Sequence, residues 1–182
     1  MTGTVQGSLE AEVYFSPNPL ALKLLLREAA AKGSVDLETA WKPLNSELGI
    51  NDSERTYTKS YLDWNKTIFE EKTSNSNKRE WQLTPAGKEI AQHLSSGKDL
   101  TPVDKAFLGR AYLRDPISKT VYGIYAGKNI TRQEGVKLLA SQAQLLEITP
   151  GQAEWFANEK TSALVALGLL SRAKKGKETV YA

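Results

Sequence analysis

Residues 149–182 read TPGQAEWFANEKTSALVALGLLSRAKKGKETVYA, and the fold follows from how this run is parsed. Thr149 is a good N-cap type, and Pro150 sits at the first helical position, where its missing N–H costs nothing. Ala153, Phe156, Ala157, Lys160, Ala163, Leu164 and Leu167 then recur at helical spacing and make one inward stripe. Gly168 is placed to stop the helix in the left-handed conformation. Two short strand-forming runs follow, 169–172 and 178–181, joined by Ala173-Lys174-Lys175-Gly176-Lys177. That is the pattern of a β-hairpin with a cationic tip.

A helix running directly into a basic hairpin suits a polyanion, since the helix can enter a groove while the tip rests on phosphates. With the apolar stripe inward, Gln152, Trp155, Asn158, Glu159 and Ser162 project outward. Gln and Asn can bond bidentately to adenine, Glu can accept from the cytosine amino group, and Ser can take either role. Trp155 is either a rim aromatic covering the helix or an apolar contact to a pyrimidine methyl. Lys174, Lys175 and Lys177 would touch phosphates, adding affinity and salt dependence without sequence choice.

The totals set the outer limits. A chain of 182 residues makes one domain or two small ones, and 40% hydrophobic with 25% charged residues is ordinary globular composition. No apolar run is long enough to cross a bilayer, and the Leu-rich segment 20–26 is interrupted by Lys23. No secretory signal pattern opens the chain, and there is no Cys for disulfides or thiolate metal sites, so a cytoplasmic setting is expected. The net charge of +3 is unevenly placed. Residues 1–98 carry 12 Lys and Arg against 13 Asp and Glu, whereas residues 99–182 carry 12 against 8. The basic excess lies in the half with the cationic hairpin, as a footprint on phosphate requires.

In chain order, residues 1–16 read as an N-terminal arm, with Val13-Tyr14-Phe15 a short strand or a packing clasp. Asn18-Pro19 starts a Leu-rich helix that Gly33 stops. Asp36 or Ser34 caps a second helix, which Pro43 either kinks or breaks. Asp52 or Ser53 caps a third, carrying Tyr57, Tyr61, Leu62, Trp64, Ile68 and Phe69. Helix, turn and helix over this interval has helix-turn-helix spacing, and Arg55, Thr56, Lys59 and Lys66 point away from its apolar stripe as candidate DNA contacts. The polar run 72–78 reads as a wing whose tip carries Lys78 and Arg79, or else as a solvated loop. Thr84-Pro85 opens a helix to about Leu94, and 95–98 is the expected domain boundary. The second half repeats the theme: helices open at Thr101-Pro102, at Asp115-Pro116 and at Thr131, and the helix and hairpin of 149–182 complete it.

Catalytic chemistry is hard to place. His93 is the single histidine and reads as a partly exposed helix residue. No zinc, EF-hand, Walker or Rossmann spacing is present, so no cofactor or metal is expected. Asp63, Glu70 and Lys72 have the letter order of a nuclease motif, but they fall on a helix end and a wing strand without a third acidic partner.

Three runs carry a family resemblance: LTPAGKEIA at 83–91, TPGQAEWF at 149–156 and LGLLSRAKKGKETVY at 167–181. The last resembles the third helix and wing of winged-helix DNA-binding domains, and the first is similar to the run that follows a wing strand in such families. The resemblance implies a mainly α fold with short β-hairpins (α+β), as two tandem winged-helix domains at 17–97 and 98–182. It also implies binding of double-stranded DNA. Two such units in tandem resemble the N-terminal recognition domains of restriction endonucleases, including BisI-like enzymes that respond to modified cytosine. On that resemblance the chain is a monomeric, non-catalytic reader, and a separate C-terminal nuclease domain of a longer protein carries the chemistry. The competing expectations are a free-standing transcriptional regulator, dimerising through an apolar surface near 117–125, and a protein-interaction scaffold.

Overall fold

Asn18 accepts a hydrogen bond from the Leu20 amide at 3.0 Å, and Pro19 follows, so helix α1 (Pro19–Lys32) begins where the sequence places it. Gly33, at φ 81°, ends it. The structure is a computed structural model that describes residues 18–51, 55–73, 78–176 and 178–182; the arm 1–16, with its expected strand or clasp at 13–15, lies outside them. Strand β1 (Ser34–Val35) leads to α2 (Leu37–Leu48), whose first turn is capped by Asp36 through the Thr39 amide at 2.7 Å. α2 runs unbroken through Pro43. Next come α3 (Thr56–Trp64), the hairpin β2 (Phe69–Thr73) and β3 (Arg79–Leu83), and α4 (Pro85–His93), with Thr84 as cap.

The second half has α5 (Pro102–Tyr112), α6 (Pro116–Tyr125), β4 (Ile130–Thr131) and α7 (Arg132–Ser141), capped by Thr101, Asp115 and Thr131 as expected. A 3₁₀ turn (Pro150–Gln152), α8 (Ala153–Ala166), β5 (Arg172–Lys175) and β6 (Glu178–Tyr181) complete it. Among the described residues the fold is therefore mixed α+β, with eight α-helices and two three-stranded antiparallel sheets. The sheet orders are β1-β3-β2 and β4-β6-β5. In each half a two-residue strand ahead of the two inner helices comes back to pair with the last strand of the hairpin.

Several expectations are corrected. The third helix stops at Trp64 and Phe69 begins a strand, because Asn65 turns the chain. Its carbonyl accepts from the Ile68 and Phe69 amides at 2.9 and 2.8 Å, and its side-chain amide donates to the Tyr61 carbonyl at 2.8 Å. That helix begins at Thr56, behind Arg55 in the left-handed region (φ 56°); the expected caps Asp52 and Ser53 lie outside the described residues. β1 and β4 have no counterpart in the sequence reading, since two residues are too few to show alternation. The first strand of the final hairpin is shifted from the expected 169–172 to Arg172–Lys175, so Lys174 and Lys175 belong to β5 and not to the tip; Lys177 lies outside the described residues. Val103 on α5 and Leu138 on α7 are exposed apolar side chains, at 69% and 43%.

One cluster of buried side chains runs through both halves, from Ala21 to Tyr181. Leu22, Leu25 and Leu26 of α1 are fully buried in it; burying a leucine stabilises by about 1.5–3 kcal/mol. The same helix buries Lys23 completely. Its ammonium donates to Asp104 Oδ2 on α5 at 2.7 Å, to Ser95 Oγ at 2.7 Å and to the Asp99 carbonyl at 2.5 Å. Asp104 is itself fully buried and accepts further bonds from the Ser95 and Thr101 amides at 2.7 and 2.9 Å. Burial pushes the Asp104 carboxyl up, but the bonds from Lys23, Ser95 and Thr101 outweigh it and hold the group far below the usual carboxylate range. Nearby, Arg27 donates to the Gly97 carbonyl at 2.8 Å, and the His93 ring stacks on Phe107 at 4.9 Å.

Lys23→Met leaves a buried, uncompensated carboxylate and is expected to cost about 3–5 kcal/mol in urea unfolding, while Lys23→Met with Asp104→Leu recovers most of the loss. Because the folded Asp104 pKa lies below its unfolded value, its contribution is fully present above about pH 4 and is lost as the pH falls further. The double variant should therefore unfold later on acidification than the native chain. Gly87 is a second sensitive point, since a Cβ there would lie 2.3 Å from the Ile68 carbonyl oxygen, which the Thr84 amide fixes at 2.9 Å. Gly87→Ala should destabilise by about 1–3 kcal/mol in the same assay.

Candidate nucleic-acid interface

α8 is held to the second half by its one buried cation. Lys160 is 2% exposed, sits 2.9 Å from Asp115 at the start of α6 and lies over the Tyr112 ring at 5.0 Å. Burial pulls the Lys160 ammonium below its ordinary value against the opposing pull of Asp115. Burial likewise raises Asp115, yet Lys160 and Ser118 prevail and hold that carboxyl low. Ala153, Ala157, Ala163, Leu164 and Leu167 are also buried, as spacing predicts, whereas Phe156 of the expected stripe is half-buried and Thr161 joins the buried face.

The opposite side of α8 is uneven. Gln152, Trp155 and Ser162 are exposed, whereas Asn158 and Glu159 are half-buried. Gln152 spends its side-chain oxygen on the Thr149 amide at 2.8 Å, so its amide nitrogen is what it offers to a partner. Trp155 stands 45% exposed, with its ring edge-on to Phe156 at 4.7 Å. Glu159 faces the first half: burial, and secondarily the Glu159 carboxylate, push the Tyr57 phenol of α3 up to about 12. Arg132, at the start of α7, pairs with Glu154 at 3.0 Å.

In the adjoining hairpin Arg172, Lys174 and Lys175 are exposed, and none has a carboxylate within ion-pair distance among the described residues. Lys174 lies opposite Thr179 and Lys175 opposite Glu178, and successive strand residues point to opposite faces. Arg172 and Lys174 thus share one face while Lys175 occupies the other. Thr131 first, and then Lys137 and Lys175 through their charges, hold the Glu134 carboxyl of α7 low, which puts Lys175 on the α7 side. Arg172 was missed by the sequence reading, which ended a strand there; its alternation with Lys174 was the available signal.

The first-half candidates are arranged differently. Arg55 pairs with Glu38 and lies over the Trp41 ring at 4.8 Å. Lys59 pairs with Asp63 at 2.6 Å. Arg79 pairs with Glu71 and, at 3.4 Å, with Asp63, and lies over the Trp81 ring at 5.0 Å. Thr56 and Lys66 are exposed. Lys78 is exposed and close enough to Asp36 to add to the lowering of that carboxyl, which is due first to the Thr39 amide. With Asp63 engaged by two cations, the order Asp63, Glu70, Lys72 does not gather a carboxylate cluster, and no group of three metal-ligating side chains occurs among the described residues. His93 is exposed, its Nδ1 2.8 Å from the Glu89 carbonyl oxygen. No helix of the described residues is long and apolar enough to cross a membrane.

The Tyr57 phenol offers a check on this geometry. Its folded pKa lies above the unfolded value, so its contribution to stability is present below about pH 10 and lost as pH rises from there towards 12. In an ultraviolet tyrosinate titration assigned with Tyr57→Phe, Glu159→Gln should lower this pKa only part of the way towards 10, because burial is the larger cause.

Comparison with protein-family models, with curated proteins and with solved structures found no match to this chain.

Proposed function

We propose that the chain, built of two units of winged-helix type, binds double-stranded DNA as the recognition part of a restriction endonuclease whose chemistry resides in another domain. Support for the winged-helix reading comes from the repeated order of elements: helix, short strand, two helices, then a hairpin whose last strand pairs with the short one. The observation that carries the DNA reading is hairpin β5–β6, whose three exposed cations have no carboxylate partner among the described residues; Thr131, opposite Val180 of β6, is followed by Arg132, which reaches Glu154 at the polar start of α8. Unpaired surface cations beside a helix whose outward groups can donate and accept hydrogen bonds match what a duplex offers: phosphates along the walls and base edges between them. Trp155 supplies an apolar surface for a pyrimidine methyl, the feature a modified-cytosine reader requires.

Fluorescence anisotropy with unmodified and cytosine-methylated duplexes, across about 50 to 200 mM salt, tests this. The expected outcome is affinity that falls steeply with salt, a preference for the methylated duplex, and loss of that preference in Trp155→Ala. Salt-dependent binding without preference would leave backbone contact alone, and no binding at the lowest salt would refute the DNA reading.

A further inference from the structure

We propose that only the second half grips the duplex, and that the matching surface of the first half is closed by its own ion pairs. This rests on the DNA reading above and narrows it. The two hairpins occupy equivalent places, β2–β3 directly after α3 and β5–β6 directly after α8, yet their charges are opposite in balance. β2 and β3 carry Glu70, Glu71 and Glu80 against Lys72 and Arg79; β5 and β6 carry Arg172, Lys174 and Lys175 against Glu178.

Pairing separates them further. In the first half the guanidinium of Arg79 is held between Glu71 and Asp63 above Trp81, and Arg55 and Lys59 have their own carboxylates. Lys72 stands directly opposite Glu80 in the ladder. A phosphate approaching this surface would have to displace bonded carboxylates and would meet Glu70 and Glu71 at the strand edge, so the counterion release that drives binding is largely forfeited. At β5–β6 no such displacement is needed. The hairpin also carries cations on both faces, so phosphates on either side of it find a partner.

The experiment compares the salt dependence of duplex binding for two charge variants of the full chain, each first shown to melt like the native protein. Arg172→Gln with Lys174→Gln and Lys175→Gln should flatten the slope of log affinity against log salt by about three, one per cation removed, and weaken low-salt binding at least about tenfold. Lys66→Gln with Lys72→Gln, which removes two exposed first-half charges that have no ion-pair partner among the described residues, should leave the slope unchanged and the affinity close to native. Comparable losses in both variants would overturn the single-half grip while leaving DNA binding intact. A native chain without salt-dependent affinity would refute the DNA reading itself, and this inference with it.

Discussion

The fully buried contact between Lys23 and Asp104 constrains everything else. It joins the first helix of one half to the first helix of the other, through the connecting residues Ser95, Asp99 and Thr101. Two charges taken out of water are stable only when each is saturated with partners, and here both are. A buried pair fixes geometry more than it adds stability, because small displacements strand a charge. The mutual position of the halves, and with it the approach of α8 to α3 at Glu159 and Tyr57, is set by that demand.

Much of the chain's architecture was legible in the sequence. Pro after a capping residue marked the starts of α1, α4, α5 and α6, and Gly33 and Gly168, both at positive φ, marked two ends. Most of the inward face of α8 followed from spacing alone. What escaped was what depends on pairing across distance. β1 and β4 exist only because β3 and β6 come alongside them, so no local signal announced them. The displacement of β5 from 169–172 onto Arg172–Lys175 was hidden because a run of lysines resembles a turn until a facing strand, Glu178–Tyr181, fixes the register.

The exposure of the second-half candidates Trp155, Ser162, Lys174 and Lys175 was legible in the sequence, and the ion pairing of the first-half candidates Arg55 and Arg79 was not. Lys59 and Asp63 are four residues apart on a helix, so that pair was readable. Arg55 with Glu38, and Arg79 with Glu71, depend on tertiary placement and on strand register respectively. Lys23 was noted only as an interruption of a Leu-rich run. A lone lysine in an otherwise apolar helix needs a carboxylate from elsewhere, but the sequence does not say which of 21 acidic residues supplies it.

The shared core has an evolutionary consequence. Repeated structural units are often shuffled between proteins as cassettes, exchanged at the linker that separates them. Here a crossover near Gly97 would orphan a buried ammonium on one fragment and a buried carboxylate on the other, and would bare the faces of His93 and Phe107. Inheritance of this pair of units is thus biased towards the whole, with each half free to drift in surface charge but not to change companions.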